Sequence, residues 1–182
     1  MRKRWSDKAQ DKIASLLKKE FGPDNIETQW RSHDRNKDWL RFNEIYCPYP
    51  DIAVRPFNTT PDRQDGINNI HAEYNRHHEF FKSFFRYSGG IDLLQNGNPR
   101  CLICIEIEGS GTRKYMMGNF LNASILGYIG FVISNENIMN NAEQVKKYLD
   151  GAAEINKMPR VAQNIMLFEY EDFLYKLTEL LI

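Results

Sequence analysis

Two carboxylates, Glu106 and Glu108, stand two residues apart at the end of an apolar run, CLICIEIE over residues 101–108. Alternation along a strand puts Leu102, Cys104, Glu106 and Glu108 on one face and Cys101, Ile103, Ile105 and Ile107 on the other. Both faces are apolar at the start, which marks a central strand covered on two sides. Glutamates spaced this way lie roughly 6.8 Å apart at about 3.4 Å of rise per residue. At an effective dielectric near 20, two like charges at that distance repel by about 2.4 kcal/mol. Partial burial adds a desolvation cost. A divalent cation removes both costs, because carboxylate oxygens are its preferred ligands. Ligands of α/β sheets also favour the carboxyl ends of strands. The same pattern fits a strand that leaves the core with Glu106 and Glu108 solvated or paired with Arg or Lys.

A third acid stands at the head of another short apolar strand, in Tyr49-Pro50-Asp51-Ile52-Ala53-Val54. There Asp51 can bridge to a metal shared with the glutamates. An Asp after Pro is also an ordinary turn residue. After the acidic strand, Gly109-Ser110-Gly111-Thr112-Arg113 leads into a predicted helix, whose free N–H groups suit a phosphate. The P-loop pattern GxxxxGK[ST] is not satisfied. Ser110, Thr112 and Arg113 are candidates for DNA-backbone contact, and a plain strand–helix connection capped by Thr112 is the competing reading.

Other chemistry-bearing residues point less clearly to a site. Cys101 and Cys104 have CxxC spacing, but residues three apart on a strand face opposite ways and no second CxxC exists, so they read as core thiols. His71, His77 and His78 lie on one predicted helix without an HExxH pattern; Glu73 and His77 are outside candidates for an auxiliary site. Phe80, Phe81, Phe84 and Phe85 cover more than one helix face, which suggests core packing plus an oligomer contact. Arg31, Arg35, Lys37 and Arg41 flank one predicted hairpin turn, where they can follow a DNA backbone or simply be solvated. No nucleophile signature of the Ser/His/Asp or Cys/His kind is evident.

The elements that must position these residues follow from periodicity. Helices are predicted over 6–21 with Ser6 as N-cap, 68–87, 114–126, 140–150 and 170–181. Strands are predicted over 25–32, 39–47, 51–54, 101–108, 128–134 and 164–169, with a loop over 58–66. Strands and helices alternate in the second half, which predicts an α/β sandwich with a mixed sheet.

The 182 residues suit a single domain. Lys and Arg total 24 and Asp and Glu total 24, so the net charge is 24 − 24 = 0. Nucleic acid is not excluded by that balance, because binding needs a basic surface rather than a basic total. No apolar stretch approaches the roughly 20 residues that span a bilayer, and the basic N-terminus has no apolar segment behind it to make a secretory signal. Three cysteines give no paired disulfide framework, so a reduced, cytoplasmic setting is expected.

Taken together, Pro50-Asp51 and Glu106-Ile107-Glu108 resemble the PD-(D/E)xK nuclease superfamily. The order of elements over about residues 6–134 is similar as well: a leading helix, strands, PD at a strand, the acidic strand, a helix and a further strand. The resemblance implies a restriction-endonuclease-like three-layer sandwich, with a central mixed sheet flanked by helices; the long segment between the two motifs departs from the family's pattern and reads as a helical insertion around residues 64–90. The resemblance also implies a Mg²⁺-dependent DNA endonuclease, most simply a type II restriction enzyme acting as a homodimer on double-stranded DNA. Asp51 and Glu106 would then hold Mg²⁺, one or two ions per site, and Glu108 would hold a second ion or orient the attacking water. The family's usual third-motif Lys is Glu108 here, and Lys114 at the start of the next helix is the nearest relocated substitute; a solvated helix-start Lys is its competing reading. A non-catalytic nucleic-acid-binding protein and a DNA repair or recombination nuclease are the alternatives within the same fold.

Overall fold

The computed structural model describes residues 4–30, 49–58, 63–87, 96–155 and 163–181. Helix α1 spans Trp5–Phe21 and buries Ala9, Ile13, Leu16, Leu17 and Phe21, a stripe at helical spacing. Ser6 lies inside this helix rather than at its cap. Arg4 takes the cap position, and the Asp7 carboxylate accepts its backbone N–H at 3.2 Å, the reciprocal half of a capping box. Gly22 ends the helix at φ 88°, a conformation costly for any residue with a Cβ.

Strand β1 is Ile26–Thr28. It stops short of the predicted residue 32 because Gln29 turns to φ 51°. The predicted strand 39–47 and the residues Arg31, Arg35, Lys37 and Arg41 lie outside the described residues. Strand β2 covers Ile52–Phe57. Helix α2, Arg63–Arg76, begins inside the segment predicted as loop, and α3 follows as His78–Tyr87. The single helix predicted over 68–87 is therefore divided at His77. Backbone bonds continue across the junction, from His77 N–H to the Glu73 carbonyl and from Phe81 N–H to the His77 carbonyl.

Strand β3 is Cys101–Glu108, helix α4 is Arg113–Leu126 and strand β4 is Gly127–Ser134. Helix α5, Met139–Glu154, strand β5, Ile165–Glu169, and helix α6, Tyr170–Leu180, complete the order. The five strands form one mixed sheet in the order β1-β2-β3-β4-β5. The first three are antiparallel neighbours, and β3, β4 and β5 run parallel.

Helices cover both faces of the sheet. On one side α1, α2, α3 and α6 pack Ile13, Ile70, Phe81, Phe84 and Phe173 against Ile103, Ile105, Phe131 and Phe168. The phenylalanine-rich segment thus belongs to the core: Phe84 contacts the rings of Phe131, Phe168 and Phe173 at 5.3–5.6 Å. On the other side α4 and α5 pack Met116, Phe120, Val145 and Leu149 against Ala53, Cys104, Val132 and Ile165. Glycines let α4 lie close to β4, since a Cβ on Gly130 would sit 2.9 Å from the Ala123 carbonyl oxygen.

Alternation along β3 holds from Ile103 to Glu108 and fails at its head. Cys101 packs with Cys104 on the α4 side, and Leu102 packs on the opposite side. The two thiols, expected to face opposite ways, share the α4 side, where Cys101 Sγ donates to the Ile103 and Leu126 carbonyls and Cys104 Sγ to the Asn122 carbonyl. The break lies opposite an irregularity in β2, where three residue steps from Val54 to Phe57 match two from Ile103 to Cys101. Pro56 falls within that irregularity, where a residue without an N–H is tolerated. Both cysteines are buried free thiols, as the core reading requires.

Candidate metal centre

Register alone brings the acids together. Ile52 pairs with Ile105 across the β2–β3 ladder, so Asp51 and Glu106 are neighbours one step beyond it. Ile52 and Ile105 point to the α1 side while Ala53 and Cys104 point to the α4 side. Period-2 alternation then sends Asp51, Glu106 and Glu108 to the α4 side. All three line one cleft of about 850 Å³ at the C-terminal end of β3, with Asp7, Gln10, Gln29, Asn119 and Asn122 around them.

Asp51 is fastened by three elements. Its Oδ2 accepts the Ile107 backbone N–H at 2.7 Å, and its Oδ1 accepts the Gln29 side-chain amide at 2.9 Å. Its carbonyl accepts the Gln10 amide at 2.6 Å and the Gln29 backbone N–H at 3.0 Å. Burial still wins, and together with the nearby Glu108 and Asp7 charges it raises the Asp51 carboxyl above its ordinary range against the opposing hydrogen bonds. Gln29 makes its contacts from the left-handed region at φ 51°, which costs a residue with a Cβ roughly 1–2 kcal/mol.

Glu106 is only 4% exposed. Burial and the Asp51 charge push its carboxyl well above the usual carboxylate range, opposed by the Asn122 side chain and the Asp51 backbone N–H. Its Oε1 has no hydrogen-bond partner among the described residues. Leaving a buried acceptor unsatisfied costs about 1–3 kcal/mol, so this atom is primed for a cation or a proton. Glu108, 1% exposed, is the opposite case. Its Oε1 accepts the Ser110 N–H at 2.6 Å and the Ser110 hydroxyl at 2.7 Å, and its Oε2 accepts the Asn119 amide at 2.9 Å.

The donor set suits a hard divalent ion, because every acid in the cleft offers oxygen and the orphaned Glu106 Oε1 wants a positive partner. Each carboxylate oxygen of Asp51 engages one hydrogen bond and keeps a second lone pair. Among the described residues no three His, Cys, Asp or Glu side chains already close around one point. The acids stand as neighbours, with Asp51 and Glu108 turned toward their own hydrogen-bond donors.

The remaining candidates fall outside this constellation. Lys114 is exposed on the first turn of α4 and does not line the cleft. Arg4 is the one cationic side chain that lines it among the described residues. Thr112 caps α4 without a side-chain hydrogen bond, and Arg113 reaches the Asn141 side chain at 3.4 Å. Ser110 lines the cleft but is engaged by Glu108. At the outside candidate His77, one ring nitrogen meets Glu20 at 2.8 Å and the other meets Glu73 at 3.1 Å. Carboxylates on opposite nitrogens of one ring cannot share an ion with it.

Sequence reasoning missed Asp7, Gln10, Gln29, Asn119 and Asn122. For the helical ones a signal existed. Tyr115, Asn119 and Asn122 recur at steps of four and three on α4, a polar stripe aimed at the end of the sheet. Asp7 and Gln10 are three apart on α1 in the same way. Nothing local marks Gln29. No protein-family model, curated protein or solved structure matches this chain.

Proposed function

We propose that this chain is a Mg²⁺-dependent DNA endonuclease of the restriction-endonuclease-like three-layer class, acting as a homodimeric type II restriction enzyme on double-stranded DNA. One observation carries the reading: the buried, unpartnered Glu106 Oε1 beside Asp51 on the neighbouring antiparallel strand, in a cleft that also holds Glu108. The finer fold assignment is supported by the element order. A leading helix, β1, Asp51 at β2, the acidic β3, α4 and β4 occur in the order the resemblance implies, with α2 and α3 added between β2 and β3.

Asp51 and Glu106 would hold the ion, with Glu108 beside them. A divalent cation bound there supplies charge neutralisation at a phosphodiester and lowers the pKa of an attacking water. The chain's own part is to orient. Gln29 and the Ile107 N–H fix the Asp51 carboxylate, and Ser110 and Asn119 fix Glu108. Glu108, held near Asp51 and Glu106, can accept a proton from a water in the cleft. A dimer would present two such sites to the two strands of a palindrome.

The test is cleavage of plasmid and viral DNA with Mg²⁺ and with EDTA. Discrete Mg²⁺-dependent fragments, lost in Glu106→Ala with DNA binding retained, establish the reading. Nicking of branched or damaged DNA without sequence-specific bands reassigns the chain to repair or recombination. A second reading is a non-catalytic nucleic-acid-binding protein. It is favoured by the absence of any lysine lining the cleft among the described residues. Wild type that binds DNA and cuts no substrate selects it.

A further inference from the structure

We infer that Gln29 is a positioning residue of the cation site, held in a left-handed backbone conformation so that its amide locks Asp51. This inference rests on the cation reading above. Three observations converge on Gln29. It is the one non-glycine residue at positive φ among the described residues, at 51°. A long, straight side chain has no local reason to adopt that region, which glycine and, less often, asparagine or aspartate occupy. Its backbone N–H and its side-chain amide both go to the same residue, to the Asp51 carbonyl at 3.0 Å and to Oδ1 at 2.9 Å. It also lines the cleft, facing the acids.

The neighbourhood explains how the conformation is held. Thr28 ends β1 opposite Ile52. Trp30, on the far side of Gln29, is buried and stacks on Phe57 with ring centroids 4.2 Å apart. Gln29 is thus held before by the Thr28–Ile52 ladder pair and after by the buried Trp30, and the bend between them aims its amide at Asp51. Backbone strain of this kind persists only where the surroundings over-determine it, and it gathers at functional sites. Asp51 Oδ2 is already fixed by the Ile107 N–H. The Gln29 amide fixes the other oxygen and so removes the rotation of the carboxylate plane. Groups that orient ligands in this way typically govern 10–100-fold of metal affinity.

The experiment is titration of the full chain with Mn²⁺ by calorimetry, with melting of the cation-free protein alongside. In Gln29→Met, which keeps the side-chain length and removes the amide, Mn²⁺ affinity is expected to fall about tenfold. In Gln29→Gly the affinity should fall similarly. The cation-free Tm should stay at or above the wild-type value there, as relief of the left-handed backbone offsets the lost hydrogen bond. Gln29→Asn restores an amide at a backbone angle that asparagine tolerates, and part of the affinity returns. The paramagnetic spectrum of bound Mn²⁺ should broaden in Met and Gly and narrow again in Asn. Wild-type affinity in both Met and Gly overturns the inference, as does a Gly variant that loses stability but keeps its affinity. Wild type that binds no Mn²⁺ at all overturns the cation reading itself, an outcome distinct from a variant that merely matches wild type.

Discussion

The Asp51 carboxylate accepts the backbone N–H of Ile107 at 2.7 Å, so the acid at the head of β2 is fastened to the residue between the two glutamates of β3. Glu106 lies beside Asp51 on these neighbouring strands, and the Asp51 charge adds to the cost of burying Glu106. The Asp51–Ile107 bond and the last regular pair behind it, Ile52 and Ile105, lie together at the end of the β2–β3 ladder. They make the separation of the acids a property of the sheet rather than of a loop, and sites on rigid elements hold geometry best.

Glu106→Gln follows directly from this burial. The substitution keeps the shape, removes a charge that burial and Asp51 both oppose, and offers the unpartnered Oε1 position an amide. The cation-free protein is expected to gain about 1–2 kcal/mol at neutral pH. It should also lack the rise in Tm that Mg²⁺ or Mn²⁺ is expected to give wild type. Denaturant unfolding with and without the cation checks both; a destabilised variant would contradict the account of Glu106.

The raised carboxyls of Asp51 and Glu106 set a pH dependence with a definite sign. Unfolded, these groups release their protons near about 3.9 and 4.3. Folded, they hold them to higher pH, so within that window the native state binds more protons. Stability from this pair is therefore largest below about pH 4 and falls as pH rises through the folded values. Measured as wild type minus the Asp51→Asn/Glu106→Gln double variant, to cancel the other titrating groups, stability should drop between pH 4 and neutrality. Saturating Mg²⁺ should flatten the drop, because the cation replaces the proton.

How far the sequence revealed this depends on range. The acidic end of CLICIEIE was legible because a period-2 run is local, and the structure buries Glu106 and Glu108 on the α4 side as that alternation requires. Asp51 was readable as a strand-head acid, and its convergence with Glu106 awaited the β2–β3 register. Leu102 and Cys101 were misassigned to faces because the irregularity between Val54 and Phe57 is a property of strand pairing. Helix existence was clear from apolar spacing, whereas no local signal marks the division at His77, whose ring meets Glu20, 57 positions earlier. Gln29 was invisible for the same reason: its role lies in a backbone angle and a partner 22 residues away.

Lys114→Ala tests the relocated-lysine expectation. Lys114 is exposed and does not line the cleft, so the substitution should leave Mn²⁺ affinity and Mg²⁺-dependent cleavage within about twofold of wild type. A surface change of this kind also costs little stability, within about 0.5 kcal/mol. Steady-state cleavage rates beside those of Glu106→Ala decide it. A rate loss of a hundredfold or more would put Lys114 in the reaction and require α4's first turn to approach the cleft when DNA binds.

Asn119→Ala tests the third acid. Glu108 is buried at 1% exposure, and Asn119 supplies the donor to its Oε2 at 2.9 Å while Ser110 supplies both donors to Oε1. Removing the Asn119 amide strips one oxygen of its partner, at a cost of about 1–3 kcal/mol. Asn119→Asp should cost more, because a second carboxylate then faces Glu108 at hydrogen-bonding distance with no proton or cation between them. Added Mn²⁺ should recover part of that larger loss and little of the Asn119→Ala loss, since only the Asp variant adds a ligand. Unfolding curves of the two variants with and without the ion measure the difference, and equal recovery in both would show that the ion does not sense charge at Glu108.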